Sequence, residues 1–439
     1  MTRHREGALH GLLHHVSGLT LEHLWRAFRI NIFSLSLMVL WLPLNVLVLP
    51  DRVDATTSSA LRGTALGLIT FFGVGIAAVV QPLAGRMSDL SHLPDIRRPF
   101  IVAGVACDVP CLFLLWWAPD VVWLLVAYVL LQVGSNVAQA AFQALIPDLF
   151  KPADRGLASG VKNGLTVVGA AVGLIGVTII PQGDRKLWVF AFLALGLIAG
   201  AVLTVLWVPR VPPLSPVQRQ KAAGARQGVG ELVQTYVGPL RHSAFGLAVA
   251  AQFLFLLGAY AVQRFLRYYL KDRFGLTHIS GSFGVALVAV ILVGIAAAVL
   301  AGHLSDRVGR RPVLEASVIA TVVGLVGFAV APSLTVVAIA GCLMALGVGA
   351  FFAVNWALLS DHIPEGRGAR FYGVANIATA GASALAGLFG PIVDLTNAVI
   401  PAGTYAITFG LAALISLTSL WPLRRMHGGD EPTHKSAAD

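Results

Sequence analysis

The chain has 439 residues, 57% of them hydrophobic and only 12% charged, with a net charge of +10. A soluble domain carries about 25% charged residues, so most of this surface must face lipid rather than water. Cys107, Cys111 and Cys342 all lie in apolar runs, which predicts no disulfide.

The first 27 residues are polar and His-rich, without a short apolar run ending at a small-residue cleavage site, so no cleavable signal is expected. About 20 apolar residues in a helix cross the roughly 30 Å hydrocarbon core. Twelve such runs follow, at 28–50, 64–86, 99–118, 121–147, 157–181, 187–208, 243–270, 282–303, 312–331, 334–360, 371–396 and 402–423. A Pro-, Gly- and Arg-rich stretch separates the sixth run from the seventh. The expected protein is an all-α, multi-pass membrane protein. It has a cytoplasmic N-terminal segment at 1–27, a six-helix half at 28–209, a cytoplasmic linker at 210–242, a second half at 243–424 and a cytoplasmic tail at 425–439. With both termini inside, cytoplasmic segments hold 23 Lys and Arg and outer segments hold 8. That bias predicts the orientation in a plasma membrane. It also explains the positive charge without nucleic acid.

Polar residues inside the runs are few. The first run carries Asn31 and Asn45, nearly aligned on a helical wheel. The third carries Asp108 near mid-span. An acid there is a functional candidate, here for coupling to protons; a structural Asp is the other reading. In the fourth run, Gln132, Asn136, Gln139 and Gln143 are spaced 4, 3 and 4 apart. They fall within about 60° of one another on a helix. Amides on such a stripe bind hydroxyls and carbonyls of a solute, or tie helices together. The seventh run adds Gln252, Gln263 and Arg267 on roughly one face. Arg264 and Arg267 either bind an anion or, the favoured expectation, snorkel to the outer interface. In the tenth run Asn355 and Trp356 set an amide beside an aromatic face, suited to a sugar ring or to core packing.

An internal repeat organises the chain. From Arg97 onward a constant offset of 213 maps Arg97, Arg98 and Pro99 onto Arg310, Arg311 and Pro312, and Asp148 onto Asp361. Two parallel six-helix repeats suit a transporter that rocks about a central site. The helix 4 stripe maps onto Ala345, Gly349, Phe352 and Trp356, so it is no packing device common to both halves.

The stretch GHLSDRVGRRP at 302–312 resembles the loop motif of the major facilitator superfamily, Gly-x-Leu-x-Asp-Arg-x-Gly-Arg-Arg. GRMSDLSHLPDIRRPF at 85–100 is a degenerate copy with four extra residues, and its RRPFI is similar to the sugar- and glycoside-transporting branches. The resemblance implies that helices 1, 4, 7 and 10 line a central path. It also implies that the motif loops form a gate bracing the outward-open state. In that gate Gly85 and Gly302 let helices approach closely. Asp89, Asp306, Asp148 and Asp361 accept charge-assisted hydrogen bonds from Arg97, Arg98, Arg310 and Arg311. Arg155 and Arg367 complete the clusters. The degenerate first copy is expected to be the weaker.

The expected function is secondary transport of a small polar solute such as a sugar or glycoside, coupled to protons, by a monomer. A drug or lipid exporter of the same fold is the alternative, and a non-transporting receptor lies outside transport. No phosphate loop, His-Glu-x-x-His, Gly-x-Ser-x-Gly triad or Cys-His metal spacing is present, so no enzyme, metal or cofactor is expected.

Overall fold

Hydrocarbon offers no water to backbone N–H and C=O groups, so each apolar run must satisfy its own by coiling. The computed structural model describes residues 21–151, 154–180, 186–217, 238, 240–241, 243–276, 281–363, 368–400 and 404–426. Among them twelve helices are long and apolar enough to cross a membrane, and no strand occurs. These are α1 Leu21–Thr56, α2 Arg62–Asp89, α3 Arg98–Trp117, α4 Val121–Leu149, α5 Arg155–Ile179 and α6 Leu187–Trp207 in the first half. The second half holds α7 Ala244–Phe274, α8 Gly284–Val308, α9 Arg310–Val330, α10 Leu334–Asp361, α11 Gly373–Val399 and α12 Tyr405–Arg425. Most of the expected 1–27 segment, the 210–242 linker and the tail lies outside the described residues.

Local chemistry sets the ends. Asp120 accepts from the Val122 and Trp123 N–H groups at 2.9 and 3.1 Å, opening α4. Pro99 sits in the first turn of α3, where a missing N–H costs nothing. Gly309 turns the chain from α8 into α9 at φ 91°, a conformation that a Cβ disfavours. That accounts for the Gly of the loop motif. Helix α1 begins at Leu21 and runs to Thr56, beyond the expected 28–50, because it continues through a π turn at Leu44–Val48. Pro43 precedes this turn and offers no N–H to the ladder. The Leu49 N–H bonds Leu44 O, and the Asn45 side chain donates to Trp41 O at 2.9 Å.

The repeat is visible in the packing. In the first half α1 packs on α5 and α6, α4 on α2 and α3, and α3 on α6. The second half repeats each pair six helices later: α7 on α11 and α12, α10 on α8 and α9, and α9 on α12. Between the halves α2 meets α11, α5 meets α8 and α1 meets α7. Large apolar side chains such as Leu206, Leu292 and Leu300 stay exposed on the outside of the bundle, as a lipid-facing surface requires.

Candidate functional site

The halves are joined tightly at one end. Arg62 at the start of α2 pairs with Asp54 of α1 at 3.0 Å and with Asp272 of α7, while its guanidinium lies 4.9 Å from the Tyr268 ring centre. Lys271 pairs with Asp54, and Arg267 with Asp51 at 2.6 Å. Tyr405 donates to Asp272 at 2.6 Å, and Tyr268 to the Pro50 carbonyl at 3.1 Å. Asp394 of α11 accepts from the Gly63 and Thr64 N–H groups at 2.9 and 2.6 Å, capping the positive end of α2. Beneath this layer α2 and α11 touch backbone to backbone. A Cβ on Gly67 would run into the Gly387 carbonyl, and one on Gly387 into that of Gly67.

The opposite end is splayed. A Cβ at Gly156, Gly160, Gly164 or Gly302 would meet nothing within 4 Å among the described residues. One at Gly85 would meet only Ala140 of its own half, at 3.9 Å. The close approach expected at Gly85 and Gly302 is therefore absent: no described residue of the other half lies within 4 Å of a Cβ at either position. The motif clusters remain, each within its own half. Arg97 pairs with Asp89 at 2.6 Å and Asp148 at 2.7 Å, and donates to Ser88 at 2.9 Å. Burial works against its charge, but the Asp148 and Asp89 carboxylates outweigh it and raise its pKa above the ordinary arginine value. Arg310 pairs with Asp306 at 2.5 Å and Asp361 at 3.4 Å.

Two expected partners differ. Arg98 turns to Asp95 and the Val208 carbonyl, and Arg311 to Glu315, so neither reaches the helix-end Asp. Arg155 donates to the Phe150 and Pro147 carbonyls; Arg367 lies outside the described residues. The degenerate first copy is the better buried. Its central Arg97 side chain is 6% exposed, against 26% for that of Arg310. The four inserted residues explain this: Asp95 anchors the turn by accepting from Arg97 and Val211 N–H groups, and Ile96 N–H donates to Val211 O.

Between the two ends lie two adjoining cavities. The smaller, about 160 Å³, sits against Asn45, Tyr128, Gln132, Tyr260, Gln263, Arg264 and Ser383. The larger, about 1060 Å³, is almost wholly apolar and opens between α5, α7, α8 and α10, with Trp356 and Gln263 in its wall. Gln263 borders both.

The amide stripe divides. Gln132 faces the small cavity and donates to the Tyr128 hydroxyl at 3.2 Å; Tyr128 in turn donates to Asn45 at 2.8 Å. Asn136 is buried and spends its amide on the Gln132 carbonyl and side chain. Gln139 lines neither cavity. Gln143 is exposed and accepts from Gln81 at 3.0 Å. Three other candidates serve packing. Asn31 donates to the Ala27 and Ala158 carbonyls and holds α1 to α5. Gln252 donates to Ala375 O and Thr379 and accepts from Asn355, linking α7, α10 and α11. In lipid such bonds replace water. Asp108 is fully buried between α3 and α4, accepting from Ser135 at 2.6 Å, and borders neither cavity.

The snorkelling expectation fails for both arginines of α7. Arg267 turns inward to Asp51, and Arg264 turns to the small cavity. Sequence reasoning also missed the latch formed by Asp51, Asp54, Arg62, Asp272 and Asp394. Its signal was present as charges of both signs at the same ends of helices 1, 2, 7 and 11.

The family model of the major facilitator superfamily matches residues 30–387 and again 278–438. Among curated proteins, the class G tetracycline resistance protein of Vibrio anguillarum is 33% identical over 161 residues, 36% of this chain and 40% of that protein. The chain thus spans about two fifths of the curated relative it matches. Among solved structures, the nucleoside transporter NupG aligns with a TM-score of 0.71 at 13% identity, covering 91% of this chain and 99% of the other. A bacterial homologue of the human lysosomal transporter Spinster, inward-facing and unoccupied, aligns at 0.66 with 15% identity, covering 92% and 95%. The twelve helices, the repeat and the family match agree: this chain is an integral membrane protein and belongs to the major facilitator superfamily.

Proposed function

We propose that the chain is a secondary transporter working by alternating access, with its latched end outside and its splayed end and both termini in the cytoplasm. Its solute is a small organic molecule that is part polar and part apolar. The observation that carries this is the pairing of a polar cavity with a much larger apolar one, directly beneath a latch between the halves. Ligand sites are mostly apolar, with few polar groups fixing orientation. Several amides that would serve a sugar are occupied by protein partners instead, so the exporter alternative fits better than a hydroxyl-rich solute. A sugar or glycoside keeps one support, the Trp356 ring and Gln263 amide in the same wall. The carboxylates at the moving boundary are Asp51, Asp54, Asp272 and Asp394. Coupling to protons would act there rather than at Asp108.

The test is transport by the purified chain in sealed liposomes, with amphipathic drugs and radiolabelled sugars offered in parallel, with and without a pH gradient. Movement of the amphipathic compounds is expected. Movement of sugars alone would support the glycoside reading, and movement of neither, by protein that still binds them, would point to a receptor.

A further inference from the structure

A cation inside the membrane is costly and ordinarily paired. Arg264 is 8% exposed, well inside α7, and forms no ion pair among the described residues. Its Nη2 donates to the Ser383 carbonyl at 2.8 Å and hydroxyl at 3.3 Å, both neutral acceptors. That leaves the N–H groups of Nε and Nη1 without an acceptor among those residues. Of the nearby cations, Arg62, Arg267 and Lys271 each hold a carboxylate of the latch, and Arg52 rests on the Leu115 and Ala118 carbonyls. The polar groups that share the Arg264 cavity are amides and hydroxyls, with no carboxylate among them.

We infer that Arg264 marks an anion-binding subsite and that the transported solute is an amphipathic organic oxyanion, its charged head at Arg264 and its apolar body in the adjoining cavity. This rests on the transport reading above and names the solute class within it. Volume supports the division of labour. At about 30 Å³ per water, the small cavity of about 160 Å³ accepts a carboxylate or phosphate head and little more. The cavity of about 1060 Å³ across Gln263 takes a body of drug size. A guanidinium presents a planar fork that matches such a head, and Tyr260 and Gln263 stand beside it as further donors. A neutral solute would leave Arg264 buried and uncompensated, whereas an anion turns that cost into affinity.

The experiment compares dansyl-leucine with its uncharged methyl amide, which share one apolar body. Binding to the purified full-length chain is read by dansyl fluorescence. The wild-type chain is expected to bind the acid about tenfold or more tightly than the amide. Arg264→Gln should abolish the acid's advantage, so that both probes bind alike, and Arg264→Lys should restore part of it. Equal binding of acid and amide by the wild-type chain overturns the inference while leaving transport of amphipathic solutes standing; this arm needs no variant to fold. A preference that survives in Arg264→Gln overturns it too. Failure of both probes to bind the wild-type chain overturns the inference and the amphipathic reading together.

Discussion

Replacing Arg62 with Ala should release the latch. The Arg62 side chain bridges Asp54 on its own half and Asp272 on the other. Removing one member of a buried ion pair costs about 3–5 kcal/mol when the partner is stranded. Here neither partner is stranded: Asp54 keeps Lys271, and Asp272 keeps the Tyr405 hydroxyl. Both carboxylates also retain some access to water. The loss should therefore fall to about 1.5–2 kcal/mol, a factor of roughly ten to thirty in the equilibrium between the latched and unlatched states. Spin labels at Ser59→Cys and Ala398→Cys, exposed positions on opposite halves at the latched end, report this by pulsed electron resonance after the three native cysteines are changed to Ser. A longer distance should gain population in the Arg62→Ala chain. A distribution shifted less than twofold, in protein that melts as the wild type does, would refute the claim that these ion pairs hold the end closed.

Gly67→Leu should open the same label pair without touching any charge, since its side chain would occupy the place of the Gly387 carbonyl; an unchanged distance would mean that the contact between α2 and α11 is incidental to closure. Arg97→Gln should lower the melting temperature more than Arg310→Gln, with losses of about 1–3 kcal/mol against under ~1, because Arg97 is the more buried hub; equal shifts would contradict this ranking. Asp108→Asn should leave the pH dependence of transport unchanged, as Asp108 borders neither cavity, and a transport rate that loses its response to a proton gradient would return this residue to the coupling path.

The spans, the repeat and the motif clusters were legible because each depends on local composition or on fixed spacing. A helical wheel also shows correctly that Gln132 and Asn136 share a face. It cannot show what covers that face. Asn31 and Gln252 look equally well placed, yet the Ala158 and Ala375 carbonyls reach them from helices more than 120 residues away. The arginines of α7 failed for the same reason. Snorkelling is the cheapest fate for a lone cation near a helix end, but Asp51 lies 216 positions earlier in the chain and only the tertiary fold brings it to Arg267. The conformational state was beyond sequence altogether, since one sequence carries the charges to close either end.

The π turn in α1 has a geometric consequence for closure. Each helical residue advances the side-chain direction by about 100°, and a π turn accommodates one residue more than an α turn. Everything after Val48 is thus out of phase with everything before Pro43. Asn31 and Ser34 address α5, while Asp51 and Asp54 address α7. Deleting one residue between 44 and 48 would relax this segment to ordinary α-helix with every charge retained. It would leave both aspartates on the boundary, because the turn gives up only the residue it had absorbed; one residue added to the ordinary α-helix between Asn31 and Pro43 would instead wheel them off it by about 100°. The register of a single helix thereby decides whether the two halves can meet, and a chain of this kind could lose or regain closure through a change of length rather than of chemistry.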